Sequence, residues 1–448
     1  MVGTLEDIAK KALAAARRAG AGHADALAVK SDSLSVEVRS GALEHAERSE
    51  AVEIGLRVLI GHRQACVAAS DTRDATLADM AERAVAMARE APEDPYCGLA
   101  GADQLARDTD ASGLELADPS EPPAAADLQR DALQAEAAAA GVKGVSMVDA
   151  SGTGWGRTAI HIAATNGFSG GYERTSRSVS CVAISGEGLG MERDYCVEGR
   201  IFSSDLPTAE EIGRRAGERA AARAGARKPP TGAFPVLFDE RIAGTLVGHV
   251  VAAINGAAVV RGASWLKDAM GETILPDGLS LIEDPFRKRV SGSRPFDVEG
   301  LPTARRAIIE NGILKSWMLD LASARKLGLD STANASRGTS APPSPSAGNL
   351  TLDPEGVERD TLIAEMGTGL IVTSLIGSAV NPTTGDYSRG ASGFWVENGE
   401  VAGPVNECTV AGNLRDMLRR IRPANDARRY LSRVVPSLLV EGLTIAGT

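Results

Sequence analysis

Cysteine is scarce and poorly spaced for chemistry. The five residues, Cys66, Cys97, Cys181, Cys196 and Cys408, form no CxxC pair and are odd in number. That pattern supports no disulfide framework, zinc ribbon or redox pair. Histidine is equally thin. His23, His45, His62, His161 and His249 occupy no HExxH or HExxxH pattern, and no two lie within one helical turn. A zinc site needs three or four ligands converging at about 2.0–2.3 Å, and nothing local supplies even two imidazoles. With 4 Trp, 5 Tyr and 7 Phe, the chain lacks the aromatics of a base-stacking platform. Positive charge is in deficit: 48 Lys and Arg against 59 Asp and Glu, a net charge of −11. That balance disfavours nucleic acid and anionic membrane surfaces as partners. No Gly-Lys-Ser/Thr occurs, which excludes a P-loop. Two stretches, 242–260 and 366–385, lack charge, but His249, Asn255, Asn381, Pro382 and several glycines interrupt them. They read as buried core rather than bilayer spans. The opening residues carry acid and no apolar run, so no signal peptide is expected and the cytoplasm is the expected location.

What is present is a 448-residue chain of ordinary globular composition, long enough for two domains. Thr4 and Asp7 are placed to cap a first helix that Gly20 ends. Alternating runs at 34–39 and 52–58 predict half-buried antiparallel strands. Helices are expected at about 75–90, 127–140 and 208–224, the last with Thr208 and Glu211 as a capping box. Strand-like segments fall near 144–148, 158–164 and 178–184. The sequence KPPTG at 228–232 is the clearest boundary, dividing an N-terminal domain (1–227) from a C-terminal one (233–448). The second half opens with a short apolar strand and an apolar helix from about Glu240. Thereafter it is rich in Gly, Thr and Val with many turns, and residues 336–348 (SRGTSAPPSPSAG) read as a long loop. The fold class is α+β, with a β-rich second half.

Catalytic signatures are few. Residues 167–171 match GxSxG around Ser169, but the nucleophile elbow needs a helix after the serine. Here a β segment follows, so a Gly-rich hairpin is the better reading. Glycines 186, 188 and 190 are not a GxGxxG. The carboxylate pairs Asp239/Glu240, Glu283/Asp284 and Asp297/Glu299 have the composition for acid–base work or a hard cation, although solvated loops are the commoner explanation. The densest polar constellation is TGDYSRG at 384–390 followed by FWVENG at 394–399. Asn398-Gly399 is a type I′ hairpin signal. Asp386, Tyr387, Ser388, Arg389, Trp395 and Glu397 are the candidate residues for contacting substrate or a partner subunit, with TGDYSRG as a recognition loop.

These residues carry a resemblance. TGDYSRGASGFWVENG at 384–399 resembles the signature of the TldE (PmbA) branch of the TldD/PmbA metallopeptidase family. Pro404-Val405, AGNL at 411–414, FDVEG at 296–300, ENGILK at 310–315, SARKL at 323–327 and the terminal PSLL and IAG segments agree in order. The resemblance implies a helix-flanked antiparallel sheet followed by a barrel-like β domain. It also implies a heterodimer of TldD and TldE that hydrolyses peptides and unfolded polypeptides, with the catalytic zinc on an HExxxH helix of the TldD chain. Aligned by eye, that helix falls at 247–252 here. Val247 and Ala252 occupy the histidine positions, Gly248 replaces the glutamate, and His249 lies between them. The expectation is therefore a chain with no catalytic residue, metal ligand or cofactor of its own, zinc residing in a TldD-like partner. A homodimer is possible for the isolated chain. Two other readings stay open: a stand-alone peptide-binding protein that has lost proteolysis, and an independent hydrolase using Ser169 or Asp297 and Glu299.

Overall fold

A computed structural model describes residues 4–353 and 356–447. Helix α1 (Leu5–Ala19) begins at a reciprocal Thr4–Asp7 capping box and ends at Gly20, whose φ is +95°. Strands β1 (His23–Arg39), β2 (Ala42–Ile60) and β3 (Arg63–Ala69) then lead to α2 (Asp74–Glu90). After a long loop come α3 (Ala125–Ala140), β4 (Val145–Ala164), β5 (Ser169–Ser185), β6 (Glu192–Arg200) and α4 (Ala209–Ala222). Thr208 caps α4, while the Glu211 carboxylate pairs with Arg215 instead of completing the box. The six strands form one antiparallel sheet in the order β3-β2-β1-β4-β5-β6.

Four of these strands, β1, β2, β4 and β5, are longer than the sequence suggests. The segments expected at 144–148 and 158–164 are one strand, β4. Between them Gly152, Gly154 and Gly156 face Ser180, Ser178 and Ser176 across the ladder, and a Cβ on each glycine would lie 3.0–3.2 Å from the opposing Oγ. Side-chain size, not propensity, sets the composition there, so the alternation that marks a strand is invisible. Register also opposes Cys181 and Cys196, both buried and free, which sequence spacing did not pair.

The sheet has two unlike faces. Ala24, Ala26, Ala28, Ile54, Leu56 and Val58 face α1 and α2, whereas Val179, Cys181 and Ala183 face α3 and α4. All four helices thus cover one side, as period-two alternation allows. The other side receives the C-terminal half.

That half starts with β7 (Gly232–Phe238), α5 (Glu240–Ala253), α6 (Gly256–Val260), β8 (Ser280–Glu283), β9 (Arg306–Glu310), β10 (Ile313–Leu314) and α7 (Leu321–Leu327). It continues through β11 (Ala335–Ser336), β12 (Ser344–Pro345), β13 (Leu350–Asp353), α8 (Arg359–Met366), β14 (Gly369–Val380), β15 (Asp386–Glu397) and β16 (Glu400–Asn413). It closes with α9 (Leu414–Leu418), β17 (Arg422–Pro423), β18 (Arg433–Val434) and β19 (Leu438–Ala446). Strands β16, β15, β14, β7 and β19 pair in that order, and β19 pairs back to β16, closing a five-stranded barrel. Closure removes the exposed edges that an open sheet would present. Val236, Phe238, Leu370 and Val372 on one side of the barrel wall join the core around α5, and Leu237, Ile371, Val396 and Leu439 on the other meet α8. A smaller sheet runs β10-β9-β8-β13-β18. The expected α+β class and barrel are both observed. Among the described residues, no helix is long and apolar enough to cross a membrane.

The two halves are seated on each other. On the helix-free face of the sheet, Asp25 is buried between Arg57, at 2.5 Å, and Arg337 from the 336–348 loop, whose side chain is 0% exposed. One pleat along, the ladder aligns Gly55, Leu27, Ile162 and Gly170. A Cβ at Gly55 would lie 2.1 Å from the Thr339 carbonyl oxygen, and one at Gly170 would lie 3.0 Å from the Phe296 ring. The missing side chains are what let the loop and Phe296 lie flat on the strands. At the β6 edge, Arg241 of α5 meets Asp194 at 3.0 Å and the Tyr430 hydroxyl donates to Glu198 at 2.9 Å. Gly55→Ala is expected to lower stability by about 1–3 kcal/mol, the usual cost of overpacking. It should also open the 336–348 loop to limited proteolysis. An unchanged denaturation midpoint with unchanged cleavage would show that the seat is not tight.

Candidate functional site

All six sequence-selected residues fall on β15, but they do not form one patch. The turn before the strand is held by Asn381, whose side-chain oxygen accepts from the Thr383 and Thr384 amides at 2.9 and 3.2 Å. Only 381–385 is loop. TGDYSRG, read from sequence as a recognition loop, becomes barrel strand at Asp386, because Asp386 to Ser388 pair with Asn413 to Ala411 of β16. Asp386 is exposed, and its carboxylate accepts from the Thr384 hydroxyl at 2.6 Å and Asn413 at 3.0 Å. Those bonds hold it below the usual carboxylate range, Thr384 contributing most. Tyr387 is buried, Ser388 and Arg389 are half-buried, and Glu397 is exposed at the far end, 3.6 Å from Arg227. Trp395 belongs to the core, edge-on to Phe234 with centroids 5.0 Å apart. At ~3.3 Å per residue, Asp386 and Glu397 are separated by roughly 36 Å of strand. The hairpin beyond Glu397 has the turn the sequence predicts, with φ of +55° at Asn398 and +78° at Gly399.

What the fold does bring together is Tyr387 and Arg389 with His249 of α5. The His249 and Tyr387 rings meet edge to face with centroids 5.9 Å apart. His249 Nε2, the Tyr387 hydroxyl and Arg389 Nε are all buried without a hydrogen-bond partner. Burial, then the Arg389 charge, lowers the His249 pKa, so the imidazole is neutral near pH 7. Burial pushes the Tyr387 hydroxyl up to about 12, so it remains a protonated donor. Three polar atoms left unmatched in one place are costly, at about 1–3 kcal/mol each, and such costs concentrate at functional sites.

This donor set does not suit a metal. Val247 of α5 is buried in the core, Ala252 is exposed, and a Cβ on Gly248 would lie 3.3 Å from the Arg433 guanidinium. Zinc requires several N, S or O donors, and here one imidazole stands beside the Arg389 guanidinium. Among the described residues, no group of three or more His, Cys, Asp or Glu is placed to hold a metal ion.

The remaining sequence candidates resolve into structural roles. Ser169 sits at the start of β5, after the β4–β5 turn in which Gly167 has φ +100°. Its hydroxyl contacts His161 Nε2 at 3.0 Å, but among the described residues no carboxylate hydrogen-bonds to His161, and the segment is a hairpin, not an elbow. Asp239 caps α5 and pairs with Arg241 and Arg359; Glu240 pairs with Arg428. Glu283 binds Arg306 at 2.7 Å and Asn334. Asp297 accepts three backbone amides, from Glu299, Leu301 and Ala335, at 2.9–3.1 Å. Glu299 accepts the Leu321 amide at 2.8 Å, in the first turn of α7. Burial raises Asp297 to about 6, and burial followed by the Asp297 charge raises Glu299 to about 8. These carboxylates organise a loop and a helix start. The charges around Glu299 are Asp297, Arg57 and Asp320.

A helix-backed antiparallel sheet seated against a closed five-stranded barrel defines an α+β class that solved structures share. One, from Bacteroides thetaiotaomicron and described as a proposed modulator of DNA gyrase, superposes with a TM-score of 0.91 at 27% identity over 100% of both chains. TldE from Thermococcus kodakarensis shares the fold, with a TM-score of 0.84 at 19% identity over 98% of this chain and 99% of that one. Three family profiles match in order: PmbA/TldA metallopeptidase domain 1 at residues 24–88, the central domain at 117–224 and the C-terminal domain at 231–447. Metalloprotease PmbA of Escherichia coli O157:H7 is 36% identical over 98% of this chain and 96% of its own length. The chain belongs to the PmbA/TldD metallopeptidase family.

The raised carboxyls carry a sign for stability. The folded state binds protons that the unfolded chain releases above the ordinary glutamate value of 4.5, so stability is lost as pH rises toward about 8. Glu299→Gln should flatten the fall of melting temperature across that window and raise it at the alkaline end by about 1–2 °C, as expected for 1–2 kcal/mol in a chain of this length. An unchanged pH profile would show that Glu299 ionises in the fold as it does in water.

Proposed function

We propose that this chain is the zinc-less, TldE-type subunit of a TldD–TldE metallopeptidase that hydrolyses peptides and unfolded polypeptides. The observation that carries this reading is α5. At the turn where the resemblance puts an HExxxH motif, it presents Val247, Gly248 and Ala252, with Arg433 against Gly248 and Arg389 near His249. Zinc hydrolysis needs a Lewis acid, a polarised water and a general base, and these belong to the partner in this reading. This chain supplies walls and binding surface.

Two features support that part. Strand β2 pairs with β1 along its length, but β3 covers only Ile54 to Ile60, so, among the described residues, 42–53 keep a free edge of amides and carbonyls. Such an edge accepts an extended chain by strand addition. On β15, Asp386 and Arg389 are the proposed contacts to substrate or partner, with Ser388 between them and Glu397 at the hairpin tip. Tyr387 and Trp395 anchor the strand from inside.

Co-expression with an HExxxH family member, followed by native mass spectrometry, tests the assembly. The expected result is a one-to-one complex, with zinc near one per complex and far below one per isolated chain by elemental mass spectrometry. No association, or stoichiometric zinc on the isolated chain, overturns the reading; chelator-insensitive hydrolysis by that chain would instead make it an independent hydrolase. Arg389→Ala should lower peptide hydrolysis by the complex roughly tenfold, about 1.4 kcal/mol, without changing the melting temperature. Asp386→Ala should weaken the complex or its hydrolysis. If both variants leave assembly and hydrolysis intact, β15 is not the contact strand.

A further inference from the structure

Between the helix-free face of the sheet and the C-terminal half lies an open cavity of about 510 Å³. Its floor is a row that strand register sets across four strands: Glu53 of β2, Val29 of β1, Ile160 of β4 and Tyr172 of β5. Val298 and residues 336–339 also line the cavity. Three arginines, Arg174, Arg294 and Arg337, line the same space, with Glu53 the only carboxylate.

Their charges are poorly compensated. Arg337 shares a single carboxylate, Asp25, with Arg57, and its Nε and Nη1 have no hydrogen-bond acceptor. Arg174 lies over the Tyr172 ring at 4.7 Å and donates to the Ser293 carbonyl at 2.6 Å, while its Nε has no acceptor. Neither Arg174 nor Arg294 has a carboxylate within ion-pair distance among the described residues; the Arg294 charge bears on Arg174 and, at longer range, on the buried Asp297 carboxylate. Glu53 is engaged by the Thr339 hydroxyl at 3.1 Å. Arg337 already has Asp25, so Arg174 and Arg294 are the guanidiniums that an anion would complete, since burying such charge without a counter-ion is expensive. Guanidinium forks fit a carboxylate in two parallel bonds, and the apolar floor of Val29, Ile160 and Val298 suits a hydrocarbon side chain beside it.

We propose that this cavity binds the free C-terminal carboxylate of a peptide whose last residue is apolar. The proposal rests on the peptidase-subunit reading for its ligand class. It gives that reading a polarity: the chain end is held here, and the scissile bond lies upstream of it. A carboxylate of an internal Asp or Glu offers the same chemistry, and the test separates the two.

The experiment is fluorescence anisotropy on the full isolated chain with a fluorescein-labelled hexapeptide ending in Ala-Leu. The free acid is compared with its C-terminal amide and with an amidated peptide carrying an internal Glu. The free acid should bind at least tenfold more tightly than either. Arg294→Gln, which removes a side chain with no hydrogen bond of its own among the described residues, should reduce that preference at least fivefold while the circular dichroism spectrum and melting temperature stay unchanged. Arg174→Gln should act in the same direction. Equal affinity for acid and amide, equal affinity for the internal-Glu peptide, absence of binding, or a preference that survives Arg294→Gln each overturns the proposal. Because the assay needs neither partner nor hydrolysis, its failure leaves the subunit reading standing, and loss of that reading through failed assembly leaves the binding result interpretable.

Discussion

One buried carboxylate holds the molecule together. Asp25 projects from β1 away from the helices and lies between Arg57 of the neighbouring strand and Arg337 of the C-terminal half. Removing one member of such a buried arrangement costs about 3–5 kcal/mol, since the remaining charges cannot return to water. Burial works against the Arg57 charge, but Asp25 and then Glu299 outweigh it and raise its pKa. Everything on the helix-free face follows from this anchor. The loop lies flat over Gly55, Phe296 packs over Gly170, and Asp297 gathers three amides to shape the turn leading to Glu299 and α7.

The barrel provides the second rigid body. Because β19 returns to β16, each strand in it has two neighbours, and β15 is fixed on both sides. That rigidity places Tyr387 and Arg389 against His249 of α5, which neither element would do alone. The resulting patch is cationic and donor-rich. A metal needs lone pairs and low positive charge around it, and one neutral imidazole beside a guanidinium and a phenol does not provide that. The same bias recurs in the cavity under the loop, where arginines outnumber acids although the whole chain carries a net charge of −11.

Much of the local structure was legible because local interactions decide it. The Thr4–Asp7 box, the stop at Gly20, the Asn398-Gly399 turn and the apolar helix after Glu240 depend on residues within a few positions of one another. The GxSxG segment was legible as a hairpin for the same reason. The glycine-spaced middle of β4 was not, because its small side chains answer to serines on another strand. TGDYSRG looked like a loop because glycines flank it, yet pairing with β16 makes Asp386 onward a strand. The six candidate residues share an element without sharing a place, a consequence of an extended backbone that sequence proximity conceals.

By itself, the sequence determined the α+β class, the family resemblance and the absence of an HExxxH motif, since each is a matter of residue identity and short-range order. Only the tertiary structure decided which charges meet. Arg337, in a loop rich in serine and proline, gave no sign that it would be buried against Asp25, more than three hundred residues away. Arg174, Arg294 and Arg337 became neighbours only through the register of four strands, the seating of the 336–348 loop on Gly55 and that of Phe296 on Gly170. Long-range electrostatics requires folded distances, and the linear order of residues does not contain them.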